Sequence, residues 1–265
     1  LDDVSVKFYP GEVNAVVGEN GAGKSTTMKV MVGAYKQDEG TILFQGQAVS
    51  FNHPIDAQKM GISIIYQEFN LLPERTVAQN IFLGREPSRY GVVNVRQLNK
   101  QARSVLQEIG VDEMISPTAL TSTLSVAEQQ LVEIAKAISL DARVLIMDEP
   151  TASLTSTEVQ LLSDLISRLK EKGLAIIFIS HRLAEVFAVA EKITVLKDGQ
   201  YVGTAHTEEA TPEDIVYMMV GRVLDHYFPP LGCPEDLGDV VLRVKDGAND
   251  FLSDINLELR KGEVL

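Results

Sequence analysis

Cysteine is almost absent: one residue, Cys233, stands in a chain of 265, so no disulfide can close within it. Long apolar runs are missing as well. Runs such as Val144 to Met147 and Leu174 to Ile179 fall far short of the roughly 20 residues that cross a bilayer, which excludes a membrane-spanning helix and routes any membrane role through a partner. Positive charge is scarce: 24 Lys and Arg face 37 Asp and Glu, for a net charge of −13 and a pI near 4.8. Binding to the backbone of DNA or RNA draws on Lys and Arg that neutralise phosphates. The balance therefore argues against a nucleic-acid partner, although it leaves a local basic groove open. No charged start followed by an apolar core marks a signal peptide, which with the lone cysteine fits the cytoplasm. The chain opens at Leu1 without a Met, and residues upstream are expected.

What is present is the balance of a globular protein with a sizeable core, 45% hydrophobic and 23% charged. Val13 to Val17 reads as a buried strand, followed by a glycine-rich loop and a helix from about Gly23 to Gly33. A hairpin is expected over Thr41 to Ser50, turning at Gln45-Gly46. From about Asn70 to Leu140 the pattern reads as helical, with Ala102, Val105, Leu106 and Ile109 on one face and Gly110 as a stop. Strands return at Val144 to Met147, Leu174 to Ile179 and Ile193 to Leu196. Between the first two, Thr155 and Glu158 form a capping box for a helix with Val159, Leu162, Leu165, Ile166 and Leu169 in one stripe and Gly173 at its end. Strand, helix, strand implies a parallel sheet in an α/β fold. Asp198-Gly199 signals another hairpin, and Thr211 to Val220 a short helix.

The expected domains are 1–228, a linker at 229–238 marked by Pro229, Pro230, Gly232, Pro234 and Gly238, and a further piece at 239–265. That piece carries a repeat. Leu252 to Leu265 aligns with Leu1 to Asn14 at a constant offset of 251, with Leu, Asp, Gly, Glu and Val identical. Such spacing reads as a duplicated unit. A second phosphate loop is then expected near position 269, a few residues past Leu265.

Gly18, Glu19, Asn20, Gly21, Ala22, Gly23, Lys24 and Ser25, with Thr26 behind them, satisfy the phosphate-loop pattern of Gly, four residues, Gly, Lys, then Ser or Thr. Glycines allow close backbone approach, N–H groups converge on phosphates, and the helix start adds about half a positive charge. Lys24 would reach the β- and γ-phosphates of ATP, and the Ser25 hydroxyl would ligate Mg²⁺. Asp148 and Glu149 close a strand; Asp148 would hold the metal and Glu149 polarise an attacking water. An acidic pair facing solvent is the plain alternative. Parallel strands, however, deliver their carboxyl ends to one crevice. His181 ends the next strand and either donates to the γ-phosphate or serves structure. Gln67, after Ile62 to Ile65, either accepts the metal's water or caps a loop. Ser125 and Glu128 form a capping box, which an ordinary helix start explains by itself.

The order of phosphate loop, glutamine, helical insert, Leu-Ser motif (LSVAEQQ, Leu124 to Gln130), Asp-Glu and His resembles the nucleotide-binding subunits of ABC transporters over Leu1 to Arg222. The resemblance implies a P-loop NTPase of ABC type, a mostly parallel core sheet with an antiparallel β subdomain and a helical insert at about 70–140. It implies an Mg-dependent ATPase whose two domains sandwich each ATP head to tail. Ser125 would touch the opposite nucleotide, Ala152 to Thr155 would sit at the interface, and Gln67 would join the metal site to the insert's coupling surface.

The repeat, with EDIVYMMVGR (Glu213 to Arg222) and PTASLT (Pro150 to Thr155), is similar to the tandem monosaccharide importers of the ribose, galactose, arabinose and xylose group. Implied partners are the second half of the same chain, a membrane permease and, indirectly, a solute-binding protein, with the ATPase peripheral on the inner face of the membrane. Three positions depart from the family pattern. Val126, Ala127 and Glu128 replace the signature's Gly-Gly-Gln, Thr155 stands where Asp is common, and the adenine-stacking aromatic would lie before Leu1. A soluble tandem ABC ATPase acting on ribosomes or DNA shares every motif. Its basic linker is not seen, since Pro229 to Gly238 carries Glu235 and Asp236 and no Lys or Arg.

Overall fold

Strands buried on both faces need no polar alternation, and Val13–Val17 and Ala175–Ile179 are buried at every position. In the computed structural model, which describes residues 1–152, 154–221, 238–249 and 251–263, these two runs lie side by side in a parallel sheet. The chain divides into two units, Leu1–Arg222 and Val223–Leu265. The expected boundary at 228 and nearly all of the expected linker fall outside the described residues.

In chain order the first unit runs β1 (Val13–Val17), α1 (Lys24–Met31), β2 (Ile42–Phe44), β3 (Gln47–Val49), α2 (Pro54–Lys59), β4 (Ile62–Ile65), α3 (Val77–Ile81), β5 (Ser88–Arg89), β6 (Val92–Val93) and α4 (Val95–Ile109). It continues through α5 (Val126–Ile138), β7 (Val144–Asp148), α6 (Ser156–Glu171), β8 (Ala175–Ile179), α7 (Leu183–Val189), β9 (Lys192–Lys197), β10 (Gln200–His206) and α8 (Pro212–Val220). Six strands form one sheet in the order β10-β9-β1-β8-β7-β4. All its pairs are parallel except the edge pair β10-β9.

Alternate residues of each strand feed different cores. Ala15, Val17, Met147, Leu145, Ile176 and Phe178 pack with Leu106, Ile134 and Leu165 of the helices α4, α5 and α6. Val16, Ile146, Ile177 and Ile179 pack with Met28 and Val32 at α1 and with Phe51. Each of these side chains larger than alanine contributes about 1.5–3 kcal/mol on burial.

The turns follow their residues. Gln45-Gly46 and Asp198-Gly199 both take positive φ, 51° and 78° in the first and 49° and 78° in the second, as tight hairpin turns require. Helix α4 ends at Gly110 with φ 72°. The all-helical reading of Asn70 to Leu140 needs correction, because that stretch also contains the β5–β6 hairpin and a 3₁₀ turn at Thr121–Thr123. Two-residue strands show no periodicity; the turn at Tyr90 and Gly91, φ 52° and 79°, is their only mark. Buried Asn80 organises the insert: its Oδ1 accepts from Leu72 N at 2.7 Å, and its Nδ2 donates to Leu72 O at 3.0 Å and Thr121 Oγ1 at 2.8 Å.

In the second unit β11 (Val240–Gly247) pairs antiparallel with β12 (Ile255–Arg260). The repeated segments share backbone as well as letters. Asp3 and Asp254 have φ of 48° and 58°, and Gly11 and Gly262 have φ of 73° and 86°. Val4, Val6 and Phe8 are half-buried between exposed neighbours, as are Ile255, Leu257 and Leu259.

Candidate functional site

Because β1, β8, β7 and β4 are adjacent and parallel, their carboxyl ends line one edge of the sheet. Val17 leads into the glycine-rich loop, Ile179 precedes His181 by two residues, Asp148 ends β7, and Ile65 precedes Gln67 by two. Four motifs scattered over the sequence thus come to one edge.

The loop is shaped by contacts that only glycine permits. A Cβ on Gly18 would lie 2.3 Å from Leu196 O and 2.8 Å from Ala22 Cβ. Gly23, at φ 97°, is the N-cap of α1, which has no side-chain cap and no acidic residue in its first turn. Its leading N–H groups are therefore not claimed by a side chain. Between strand and helix, Glu19, Asn20 and Gly21 are exposed, as are Ser25 and Thr26, whereas Ala22 and Lys24 are buried.

Lys24 folds back on the loop, donating from Nζ to Gly18 O at 2.7 Å and Glu19 O at 3.1 Å. Burial lowers its pKa, and the nearby charges of Glu149 and Asp148 partly offset this. Asp148 is shifted the other way. Burial and then Glu149 raise its pKa against Lys24, Lys29 and a hydrogen bond with the Ser25 side chain. Lys24, Ser25, Asp148 and Glu149 are thus electrostatically one group. An arriving phosphate would complete it by taking over the lysine's donors.

Glu149 occupies the left-handed region at φ 48°, a placement that costs a bulky residue about 1–3 kcal/mol and concentrates at functional sites. Its N–H donates to Ile179 O at 2.9 Å, holding the turn against β8. His181 Nδ1 lies 3.1 Å from Glu149 Oε1. An ionised carboxylate only accepts, so Nδ1 carries the proton in this contact. A neutral ring then presents a bare Nε2, and donation to a further acceptor requires a charged ring or release of Glu149.

Gln67 is exposed beyond β4, beside the strand that carries Asp148. The segment after it is tied to the insert through Asn70 N, which donates to Glu133 Oε1 at 2.9 Å. Ser125 stands apart from this group as the N-cap of α5. Its Oγ accepts from Glu128 N at 3.3 Å, and its N–H donates to Glu128 Oε2 at 2.7 Å. The structure therefore unites Gly18 to Thr26, Asp148, Glu149 and His181, sets Gln67 at the same edge, and leaves Ser125 within its own cap. Ser153, in the segment expected at an interface, lies outside the described residues. Glu133 and Asn80 gave no signal in sequence, since each is a polar residue on a helix whose partner is remote.

The chain is 48% identical over its whole length to a putative ribose/galactose/methyl galactoside import ATP-binding protein of Burkholderia ambifaria, covering 51% of that protein. It is 46% identical to the ribose import ATP-binding protein RbsA of Geobacillus kaustophilus, covering 53% of it. The chain thus spans about half the length of the curated relatives it matches. Among solved structures, a nucleotide-free ATP-binding cassette from an ABC transporter superposes with a TM-score of 0.69 at 26% identity, over 86% of this chain and 92% of that one. The ATP-binding cassette MJ1267 gives a TM-score of 0.70 at 26% identity, over 82% and 87%. The ABC transporter family model matches residues 1–152, and with the strand order and the phosphate loop in place the chain belongs to the ABC transporter family.

Proposed function

We infer that the chain is the first nucleotide-binding half of an ATP-hydrolysing importer subunit that energises uptake of a monosaccharide through a separate permease. The observation that carries this reading is the convergence of Lys24, Ser25, Asp148, Glu149 and His181 at one sheet edge beside an uncapped helix start. Relatives named for ribose and galactose import, at 45–48% identity over the whole chain, supply the cargo class.

In this reading the loop N–H groups and Lys24 bind the β- and γ-phosphates of ATP. The Ser25 hydroxyl and the Asp148 carboxylate are facing oxygen donors. They suit Mg²⁺, which takes one or two protein oxygens and completes its shell with phosphate and water; Gln67 would meet one of those waters. The bound ion would neutralise charge on the transferring phosphoryl group. Glu149 orients and deprotonates the attacking water, and His181, its Nδ1 held by Glu149, donates from Nε2 of a charged ring to the γ-phosphate.

The second half of the same chain is the expected partner in the nucleotide sandwich. Support comes from the repeat at an offset of 251 and from relatives about twice as long. The permease, the indirect solute-binding protein and a peripheral place on the inner membrane face belong to the same proposal.

The test uses the complete protein, affinity-purified from detergent-solubilised membranes, with mass spectrometry of its companions and ATPase assays against candidate sugars. A co-purifying polytopic permease, with turnover raised by one sugar and its binding protein, is the expected result. Co-purifying ribosomes or nucleic acid would overturn the importer reading. Within the same preparation Glu149→Gln should keep ATP binding and lower turnover by about 10²–10⁴-fold, the usual worth of a general base. Unchanged turnover would remove Glu149 from that role.

A further inference from the structure

The turn after β7 and the turn after β8 are joined by a side chain that no motif contains. Glu185, in the first turn of α7, is mostly buried, at 13% side-chain exposure. Its Oε2 accepts from the hydroxyl of Thr151, itself buried two residues beyond Glu149. The same oxygen lies 3.4 Å from Ser180 Oγ, and Oε1 pairs with Arg182 Nη1 at 3.1 Å. Ser180 Oγ also accepts from Arg182 N at 3.0 Å. One carboxylate thus gathers a residue of the Glu149 turn and both neighbours of His181.

Without it, among the described residues, one backbone hydrogen bond, Glu149 N to Ile179 O, still ties the Glu149 turn to the end of β8, apart from the His181–Glu149 contact itself. That tie fixes where Glu149 begins and leaves the His181 turn free to swing. We propose that Glu185 is a positioning residue for ATP hydrolysis, clamping the Thr151 and Ser180–Arg182 turns together and so setting the His181–Glu149 contact. The proposal rests on the reading of this edge as an ATPase site. Glu185 itself touches neither nucleotide nor water in it. Three donors on a nearly enclosed carboxylate make the clamp stiff, because losing the acceptor leaves the buried Thr151 and Ser180 hydroxyls seeking partners.

The experiment is a double-mutant cycle in the complete protein. Glu185→Ala should lower kcat about tenfold with KM for ATP within about twofold, and Glu185→Gln, which still accepts from Thr151, should recover part of that loss. In a His181→Ala background the same Glu185→Ala change should cost almost nothing further, because the contact it sets is already gone. Equal fold-losses in the two backgrounds would overturn the proposal, as a generally structural carboxylate gives that result. Should Glu185→Ala fail to fold, Thr151→Val removes one donor and carries the same cycle with a smaller loss. A second readout needs no turnover. With ¹⁵N-labelled histidine, the His181 imidazole resonances should move in the Glu185 or Thr151 variant, and unmoved resonances would also overturn the clamp. Absence of hydrolysis by the unmutated protein would instead sink the ATPase reading, while the resonances still decide the clamp.

Discussion

Helices α1 and α5 begin in opposite ways. At α5 the start is closed: Ser125 and Glu128 satisfy each other's N–H groups. At α1 it is open, with Gly23 as cap, no capping side chain and no acid in the first turn. The contrast extends further, since α2, α3, α6 and α8 carry capping boxes and α4 is capped by Asn94. Helix α7 lacks a side-chain cap but has Glu185 in its first turn. Among the described residues α1 is the one helix with neither device. A helix start without internal satisfaction carries about half a positive charge toward whatever stands before it. Here that is the glycine-rich loop, with Lys24 folded back on its carbonyls. The sequence that leaves a helix uncapped is therefore as informative as the sequence that caps one.

The sharpest way to break the open end is Lys24→Ala. It should weaken ATP binding by about 2–5 kcal/mol, roughly thirty- to several-thousand-fold, since a triphosphate would lose its buried charged partner. Titration of the complete protein with a fluorescent ATP analogue measures it, and affinity within threefold of the parent would reject the open-end account. Next comes Thr26→Glu, which places a carboxylate three residues after Gly23, as Glu128 stands three after Ser125. Closing α1 in the manner of α5 should cost about tenfold in ATP affinity, because the acid repels phosphate and competes for the leading N–H groups. The same titration, with thermal melting to verify folding, decides this.

On the closed side, Ser125→Ala should cost about 1 kcal/mol of stability, seen as a Tm lower by about 2–4 °C for a domain of this size. Unaltered Tm would mean the cap is redundant. The smallest effect is expected from Asp148→Asn and has the opposite sign. Burial beside Glu149 holds the Asp148 pKa above its ordinary value. The folded state therefore retains a proton that the unfolded chain releases, and stability falls as pH rises through the interval between the two pKa values. Removing the charge should raise Tm of the nucleotide-free protein at pH 7, and the gain should vanish below the ordinary Asp range near pH 4. A gain that persists in acid would exclude the electrostatic cause.

Features written in consecutive residues were legible in the sequence. The phosphate loop, the β7 carboxylates, the Thr155 cap and the two hairpin turns are each spelled out in one short run of adjacent residues. Long-range geometry was not. Glu185 reads as one acid on a short helix until β7 and β8 are known to be adjacent, which brings Thr151 to it across 34 residues. Glu133 reaches Asn70 across 63. The β5–β6 hairpin escaped for another reason, since strands of two residues leave no alternation to detect. Gln67 fell between the two cases, its strand legible and its exposed amide without a hydrogen-bond partner among the described residues to reveal a role.

The strand order also sets a timetable for synthesis. β1 is made early, yet its two neighbours in the sheet are β8 and β9, with Val13 beside Ile176 and Asn14 beside Lys192. At roughly 5–20 residues per second, a ribosome needs on the order of ten to thirty seconds to deliver those partners. Through that interval an apolar strand waits unpaired, and the nucleotide loop it will hold has no fixed shape. Nascent chains of this protein should therefore acquire nucleotide binding abruptly and late, once β9 has cleared the exit tunnel, and until then they offer β1 to any chaperone that recognises exposed apolar strands.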